Sequence, residues 1–447
     1  MTQIELGWGS VPSARYEQLA EPFRPLFQKI RASAVERDLE RKLPYDEIKA
    51  LRAAGFTAVR VPTEFGGGGA TLPELFNLLI ELSEGDSNVT NAVRAHFGFT
   101  EDVLNSRNSQ RRALWLGRLA EKTYFGNGHT EIGDASLSAF STVISKKNRR
   151  DVLNGRKYYT TGTLFADWIN VAAQLENGDP VGVVVSRHGG GVEVLDDWNG
   201  FGQATTASGT AIFTDAPIEP DQIVPVSERF KYSNPFYQLV HLATLAGIGR
   251  AAAGDVARLV RERKRVFSHG NAPTVSADPQ ILQIVGRVRG NAYAAGLIVL
   301  KVAEALQRAY EAHLTGDDER AASAIAIAEI ELDQSVTVVS DLVLQATTIL
   351  FDALGASSAA KPLALDRYWR NARTIISHNP RVYRDRIVGD FAVNGTPPPG
   401  QYRIGTAGVG TACNGLISPV RASSPMRRRD GVHMPGQSRR PSRRRSK

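Results

Sequence analysis

LNGRKYYTTGTLFADWINVAAQLENGDPVGVVVSRHGGGVEVL, residues 153–195, is the stretch on which the fold turns. Short runs rich in β-branched and apolar residues, Trp168–Ala173, Val181–Ser186 and Gly191–Leu195, are set apart by turn residues at Asn154-Gly155 and Asn177-Gly178-Asp179. With Ser141–Ser145 before them and Thr210–Phe213 after, they predict a small β domain over residues 123–232, either a barrel or two packed sheets.

On both sides the periodicity changes from two to 3.6. Upstream, Tyr16, Leu19, Phe23, Leu26 and Ile30 keep helical spacing, as do Ile48, Leu51 and Ala54, and Leu72–Ser83 reads as a further apolar helix. The glycines between, Gly66 to Gly69, lack the Lys-Ser/Thr and the strand context of a phosphate loop, so they predict a structural turn. Downstream, Phe236, Leu239, Leu242, Leu245 and Ile248 mark one apolar helix face. Ile281 to Leu306 and Ala321 to Leu350 predict two more long helices, and a fourth segment begins at Arg367 and breaks near Pro380. The expectation is an α+β chain: an N-terminal helical domain (1–122), the central β-barrel or sheet domain (123–232), a C-terminal four-helix bundle (233–400) and a tail (401–447).

The chain has 447 residues, 42% hydrophobic and 22% charged, an ordinary globular composition. Its formal charge of +8 misleads, because residues 416–447 hold ten basic residues against Asp430 alone. The body is therefore near neutral and carries no basic stripe, so a nucleic-acid-binding role rests on the tail only. That Arg/Ser/Pro-rich tail has too little apolar surface to offset its ordering entropy and is expected to be disordered. One cysteine, Cys413, excludes an internal disulfide and fits a reducing cytoplasm. The start, MTQIELGWGSVPSARYEQ, does not read as a signal peptide, and no run of about 18 apolar residues is seen, so no membrane span is expected.

Four stretches in order carry a family resemblance: FGN at Phe125–Asn127, LNGRKYYTTGTLFADW at Leu153–Trp168, DDWNGFGQATTASGT at Asp196–Thr210 and DRYWRNARTIISHNP at Asp366–Pro380. Over residues 20–400 the chain resembles the acyl-CoA dehydrogenase superfamily, and within it the reduced-flavin monooxygenases of sulfur metabolism. It departs from that pattern in GHTE at Gly128–Glu131, in Thr161 where the family has a serine, and beyond residue 405. The resemblance implies reduced FMN delivered by a separate NAD(P)H flavin reductase, O2 as co-substrate, a flavin hydroperoxide as oxidant, a small sulfur-containing substrate and a homotetramer. FAD is the alternative; the single Gly355 in FDALGASS, in place of a glycine-rich segment, favours FMN.

The same resemblance nominates residues. His96 and His378 would hold and protonate the oxidant, since a neutral histidine donates through one nitrogen and accepts through the other. For each, the alternative is a core histidine bonded to a neighbouring carbonyl. Thr161 would donate its hydroxyl beside the reactive flavin edge, with Asn127 and Gly162 as further edge contacts. Trp198 would wall the pocket or pack on the ring. Arg263, in a crowded basic run, and Arg370 with Asn371 would bind phosphate, a task suited to guanidinium. The rival activity is an acyl-CoA dehydrogenase, which needs a carboxylate base; ISHNP supplies none, but Asp255 and Glu262 lie on an earlier helix.

Overall fold

A computed structural model describes residues 5–132 and 141–400. The basic tail with Cys413, and the segment 133–140, lie outside the described residues.

Helices fill the chain as far as Ala120. Helix α1, Leu72–Gly85, starts at a capping box in which Thr71 and Glu74 satisfy each other's backbone N–H groups. The glycine run before it folds as a turn, with Gly68 and Gly69 N–H donating to the carbonyls of Ala58 and Val61. A Cβ on Gly67 would lie 2.2 Å from the Val61 carbonyl oxygen. The glycines therefore pack backbone on backbone. Helix α2, Arg94–Leu104, follows a short helix, Ser87–Ala92.

Eight strands come next: β1 Phe125–Gly128, β2 Val143–Lys147, β3 Arg150–Lys157, β4 Trp168–Leu175, β5 Pro180–Ser186, β6 Val192–Val194, β7 Ala211–Ile218 and β8 Ile223–Pro225. They form one sheet in the order β6-β7-β3-β2-β4-β5-β8, with β1 added parallel to β4. Ile169, Val171 and Ala173 of β4 are buried while their neighbours are not, the period of a one-sided strand. Asn154-Gly155 is not a turn: it lies inside β3, where the register against β7 slips. Gly155 has φ +150°, and a Cβ there would lie 2.6 Å from the Thr142 Cα, so the glycine serves a bulge. The β2–β3 turn is Asn148-Arg149, both with positive φ. Asn177-Gly178-Asp179 does close the β4–β5 hairpin.

Three long helices complete the described chain: α3 Ser233–Glu262, α4 Pro279–Leu314, capped by Asp278, and α5 Asp318–Ile349, joined by the shorter α6 Asp366–Ile376. Helix α3 is buried almost all round from Gln238 to Ala253, not on one face, because α1 packs on one side and α4 and α5 on the other. Gly247 allows that approach; a Cβ there would meet the Ile80 carbonyl oxygen at 2.6 Å. An 18-residue window apolar enough to span a membrane does occur within the helical stretch Asp318–Ala353, contrary to the sequence reading. In the fold it is a bundle helix whose Val339, Val343 and Ala346 are buried against its neighbours.

Candidate functional site

The site is built where β1, the turn after β3, α2 and α3 meet. Strand β1 is clasped by Thr163: the hydroxyl accepts from Asn127 N–H at 3.0 Å and donates to the Asn127 carbonyl at 3.0 Å. A Cβ on Gly126 would sit 2.4 Å from that hydroxyl, so only glycine fits. Gly162 has φ +77°, and a Cβ there would lie 2.2 Å from the Ala92 carbonyl oxygen. The turn is thus wedged between β1 and the helix end that leads into α2. It presents Thr161, whose Oγ1 begins a hydroxyl chain through Ser208 (2.7 Å) to Thr206 (2.7 Å) and the Gln203 carbonyl (2.8 Å). The Asn127 Oδ1 is buried with no partner among the described residues, while its Nδ2 lies 3.4 Å from His129 Nδ1. A buried acceptor left open costs on the order of 1–3 kcal/mol unless a ligand fills it.

Opposite stand α2, α3 and the segment after α6. Arg94 opens α2; its guanidinium lies 4.8 Å from the Tyr237 ring centroid and its Nε donates to the Tyr237 carbonyl at 3.3 Å. One turn on in α3, His241 is 4% exposed and its Nε2 has no hydrogen-bond partner among the described residues. Its ring centroid is 4.4 Å from that of His378. His378 Nδ1 lies 3.1 Å from Asn379 Oδ1. His378 is exposed to solvent on the side away from His241. Burial and the Arg94 charge hold His378, His241 and His129 below the ordinary imidazole pKa, so all three are neutral at pH 7. A cleft of about 520 Å³ lies beside this group, between α2 and the sheet, lined by Phe99, Asp102, His129, Asn170 and Arg229.

His96, paired with His378 in the sequence reading, is elsewhere and otherwise employed. It is fully buried, its Nε2 lies 2.7 Å from the Thr57 carbonyl, and its Nδ1 accepts from Phe125 N–H at 3.3 Å. It stacks on Tyr124 at 5.2 Å. With both nitrogens committed to backbone, it has none for a ligand. The partner of His378 is His241, which sequence reasoning missed, together with Arg94, His129 and Tyr237. His129 stands two residues from Asn127 and was within reach of the motif; His241 lay hidden in an apolar helix run, FYQLVHLATL.

The remaining nominees divide. Trp198 lies in the loop 196–203, its Nε1 donating to the Gly202 carbonyl at 3.3 Å and its ring edge-on to Tyr159 at 5.9 Å. Arg41 anchors that loop through Asp196 at 2.7 Å. Arg370 is not a free cation for phosphate: Asp38 (2.6 Å) and Asp366 (2.7 Å) neutralise it. Asn371 is likewise spent, its Oδ1 accepting from Gln203 N–H at 2.6 Å. These two tie α6 to the loop. Arg263 bonds the Leu354 carbonyl and lies 3.4 Å from where a Gly355 Cβ would stand, so these two cofactor candidates are neighbours.

The two rival bases are also committed. Asp255 accepts from Tyr368 at 2.6 Å and pairs with Arg367 at 3.3 Å and Arg31 at 3.5 Å. Glu262 pairs with Arg258 on the surface at 2.9 Å.

A chain of helices, sheet and bundle in this order belongs to the acyl-CoA dehydrogenase family. Residues 13–123 match the acyl-CoA dehydrogenase N-terminal domain and residues 239–380 the C-terminal domain. Over 403 residues the chain is 26% identical to dibenzothiophene monooxygenase of Mycolicibacterium goodii, covering 86% of this chain and 95% of that protein. It is 27% identical over 385 residues to a probable FMNH2-dependent monooxygenase of Pseudomonas putida, covering 84% and 94%. Among solved structures, methanesulfinate monooxygenase of Pseudomonas fluorescens superimposes with a TM-score of 0.77 at 25% identity, covering 85% and 98%. The dibenzothiophene monooxygenase of Paenibacillus sp. A11-2, solved with FMN and indole, superimposes at 0.78 with 24% identity, covering 86% and 99%. The relatives are flavin monooxygenases of this fold, and the monooxygenase reading stands above the acyl-CoA dehydrogenase one.

Proposed function

We infer that this protein uses reduced FMN and O2 to oxygenate a small sulfur-containing substrate among the groups that Asn127, Thr161, Arg94, His241 and His378 present. The observation that carries this reading is the pairing of His378 with His241, each neutral, where a dehydrogenase would need a carboxylate. Asp255 and Glu262 are held in ion pairs, and Asp102, a carboxylate that lines the cleft, accepts from Phe230 N–H and faces Arg229 and Arg111.

The donor set fits the flavin. The unpartnered Asn127 Oδ1 suits a ring N–H, the lone pair left on Thr161 Oγ1 once it donates to Ser208 suits another, and Gly162 lets the backbone come close. Arg263 beside Gly355 is the remaining candidate for the phosphate. Bound reduced FMN supplies the two electrons that, with O2, leave one oxygen atom on the substrate and one in water.

The chain's own residues manage protons and water. Asn379 Oδ1, as oriented, accepts from His378 Nδ1–H, which leaves Nε2 with the lone pair. His378 can therefore take a proton at Nε2 and return it to the departing oxygen. His241 packs against it, ring centroids 4.4 Å apart, while desolvation and the Arg94 charge keep His378 neutral beforehand. Trp198 packs edge-on to Tyr159, two residues from Thr161. A separate NAD(P)H-dependent flavin reductase supplies reduced FMN in the cytoplasm, and the enzyme works as a homotetramer.

Two mixtures test the reading. Protein, reduced FMN and O2 with a panel of sulfides, sulfones and sulfinates should give oxygenated product with little hydrogen peroxide. Anaerobic reduction of FAD-loaded protein by acyl-CoAs, with no oxygenation in the first mixture, would overturn it.

A further inference from the structure

Arg94 is a half-buried cation with no carboxylate partner among the described residues. Its polar contacts are the Tyr237 carbonyl at 3.3 Å and the Tyr237 ring face at 4.8 Å. Neither neutralises it. The acids on its own helix, Glu101 and Asp102, lie two turns away: Glu101 pairs with Arg60 at 2.8 Å, and Asp102 accepts from Phe230 N–H at 3.1 Å and faces Arg229 and Arg111. Arg229 stands on the other side of Tyr237, 5.3 Å from the ring, and adds positive potential. By contrast, buried Arg37, Arg60 and Arg384 are each paired with a carboxylate.

A charge taken out of water without a counter-ion is costly, so it persists where a ligand completes it. The second, independent observation is His241: 4% exposed, its Nε2 unpartnered, on the helix that carries Tyr237 and against His378. Arg94 Nε bonds the Tyr237 carbonyl one helical turn before His241, which brings the guanidinium to the part of the helix that carries this imidazole. A planar guanidinium and an imidazole N–H are the partners of an oxyanion.

We propose that Arg94, with His241, receives the negatively charged oxygens of the substrate, so that the substrate class is small organic oxyanions of the sulfinate type rather than neutral aromatic sulfides. This rests on the monooxygenase reading for the reaction, but the binding of the anion stands apart from it. The oxyanion is anchored at Arg94 while its sulfur faces the flavin edge at Asn127 and Thr161. A neutral, wide thiophene would leave the arginine unpaired and desolvated, which is the basis of rejection.

The test is calorimetric binding to protein loaded with oxidised FMN, using methanesulfinate and the neutral dimethyl sulfone as probes. Methanesulfinate should bind and dimethyl sulfone should not. Arg94→Met should weaken methanesulfinate by about 10- to 100-fold, the worth of a charge-assisted contact, and Arg94→Lys should restore part of it. Riboflavin and FMN affinities of Arg94→Met are compared in parallel. Equal binding of the neutral probe, an Arg94→Met variant that binds methanesulfinate normally, or a loss confined to FMN over riboflavin (an arginine for the flavin phosphate) would each overturn the proposal. Sulfinate binding without oxygenation would instead sink the monooxygenase reading and leave the anion site standing.

Discussion

Two histidine environments in this fold differ in one respect. Around His96 every polar atom of the ring is answered by backbone, at Thr57 and Phe125, and Tyr124 covers its face. Around His241 and His378 the rings answer each other and leave nitrogens open, next to an unpaired arginine. The first arrangement holds α2 against the start of β1. The second leaves acceptors and donors for something that is not protein. A histidine in a helix is thus structural or chemical according to how many of its nitrogens the fold has already used.

The sharpest way to break this contrast is at His378. His378→Ala should leave FMN affinity near the wild-type value and divert turnover from oxygenated product to hydrogen peroxide, with product formation down by roughly 100-fold, the usual size of a lost acid–base group. Normal coupling in that variant would remove His378 from the chemistry. His96→Gln, which keeps a donor for the Thr57 carbonyl, should leave the ratio of product to peroxide unchanged.

The next effect concerns stability. Burial lowers the His96 pKa to about 4, against an unfolded value of about 6.5. Between those values the unfolded chain binds the extra proton, so stability contributed by neutral His96 is full above pH 6.5 and is lost as pH falls toward 4, by about 3 kcal/mol at the limit. The unfolding midpoint of His96→Gln should accordingly fall less steeply than that of the wild type from pH 7 to pH 5, in thermal or urea melts. Parallel slopes would mean that His96 takes up its proton without loss of the fold. The smallest effect belongs to Thr161. Thr161→Val cuts the hydroxyl chain to Ser208 and should weaken FMN by about 1 kcal/mol, roughly fivefold in Kd, while the melting curve stays put.

Much of this was open to reading in one dimension. Helical and strand periods located the three kinds of region, and the motif around Thr161 and Gly162 marked the turn that the structure wedges against Ala92. Other readings failed for identifiable reasons. Asn154-Gly155 has the residues of a turn but lies within β3, because Thr142 packs where a side chain would be. Arg370 and Asn371 match a phosphate motif, yet Asp38 and the Gln203 N–H, distant in sequence, occupy them.

By itself the sequence determined the order of helices, sheet and bundle, because hydrophobic period, caps and glycines are local properties of the chain. It also supplied the hydroxyl, amide and imidazole groups that a flavin site needs. Only the tertiary structure decided which histidine works with His378, and that Arg94 stands without a carboxylate. Whether a polar atom is satisfied depends on residues far away in the chain: Thr57 for His96, and the lack of a described acid for Arg94. Pairing at that range is set by packing, which no local pattern encodes.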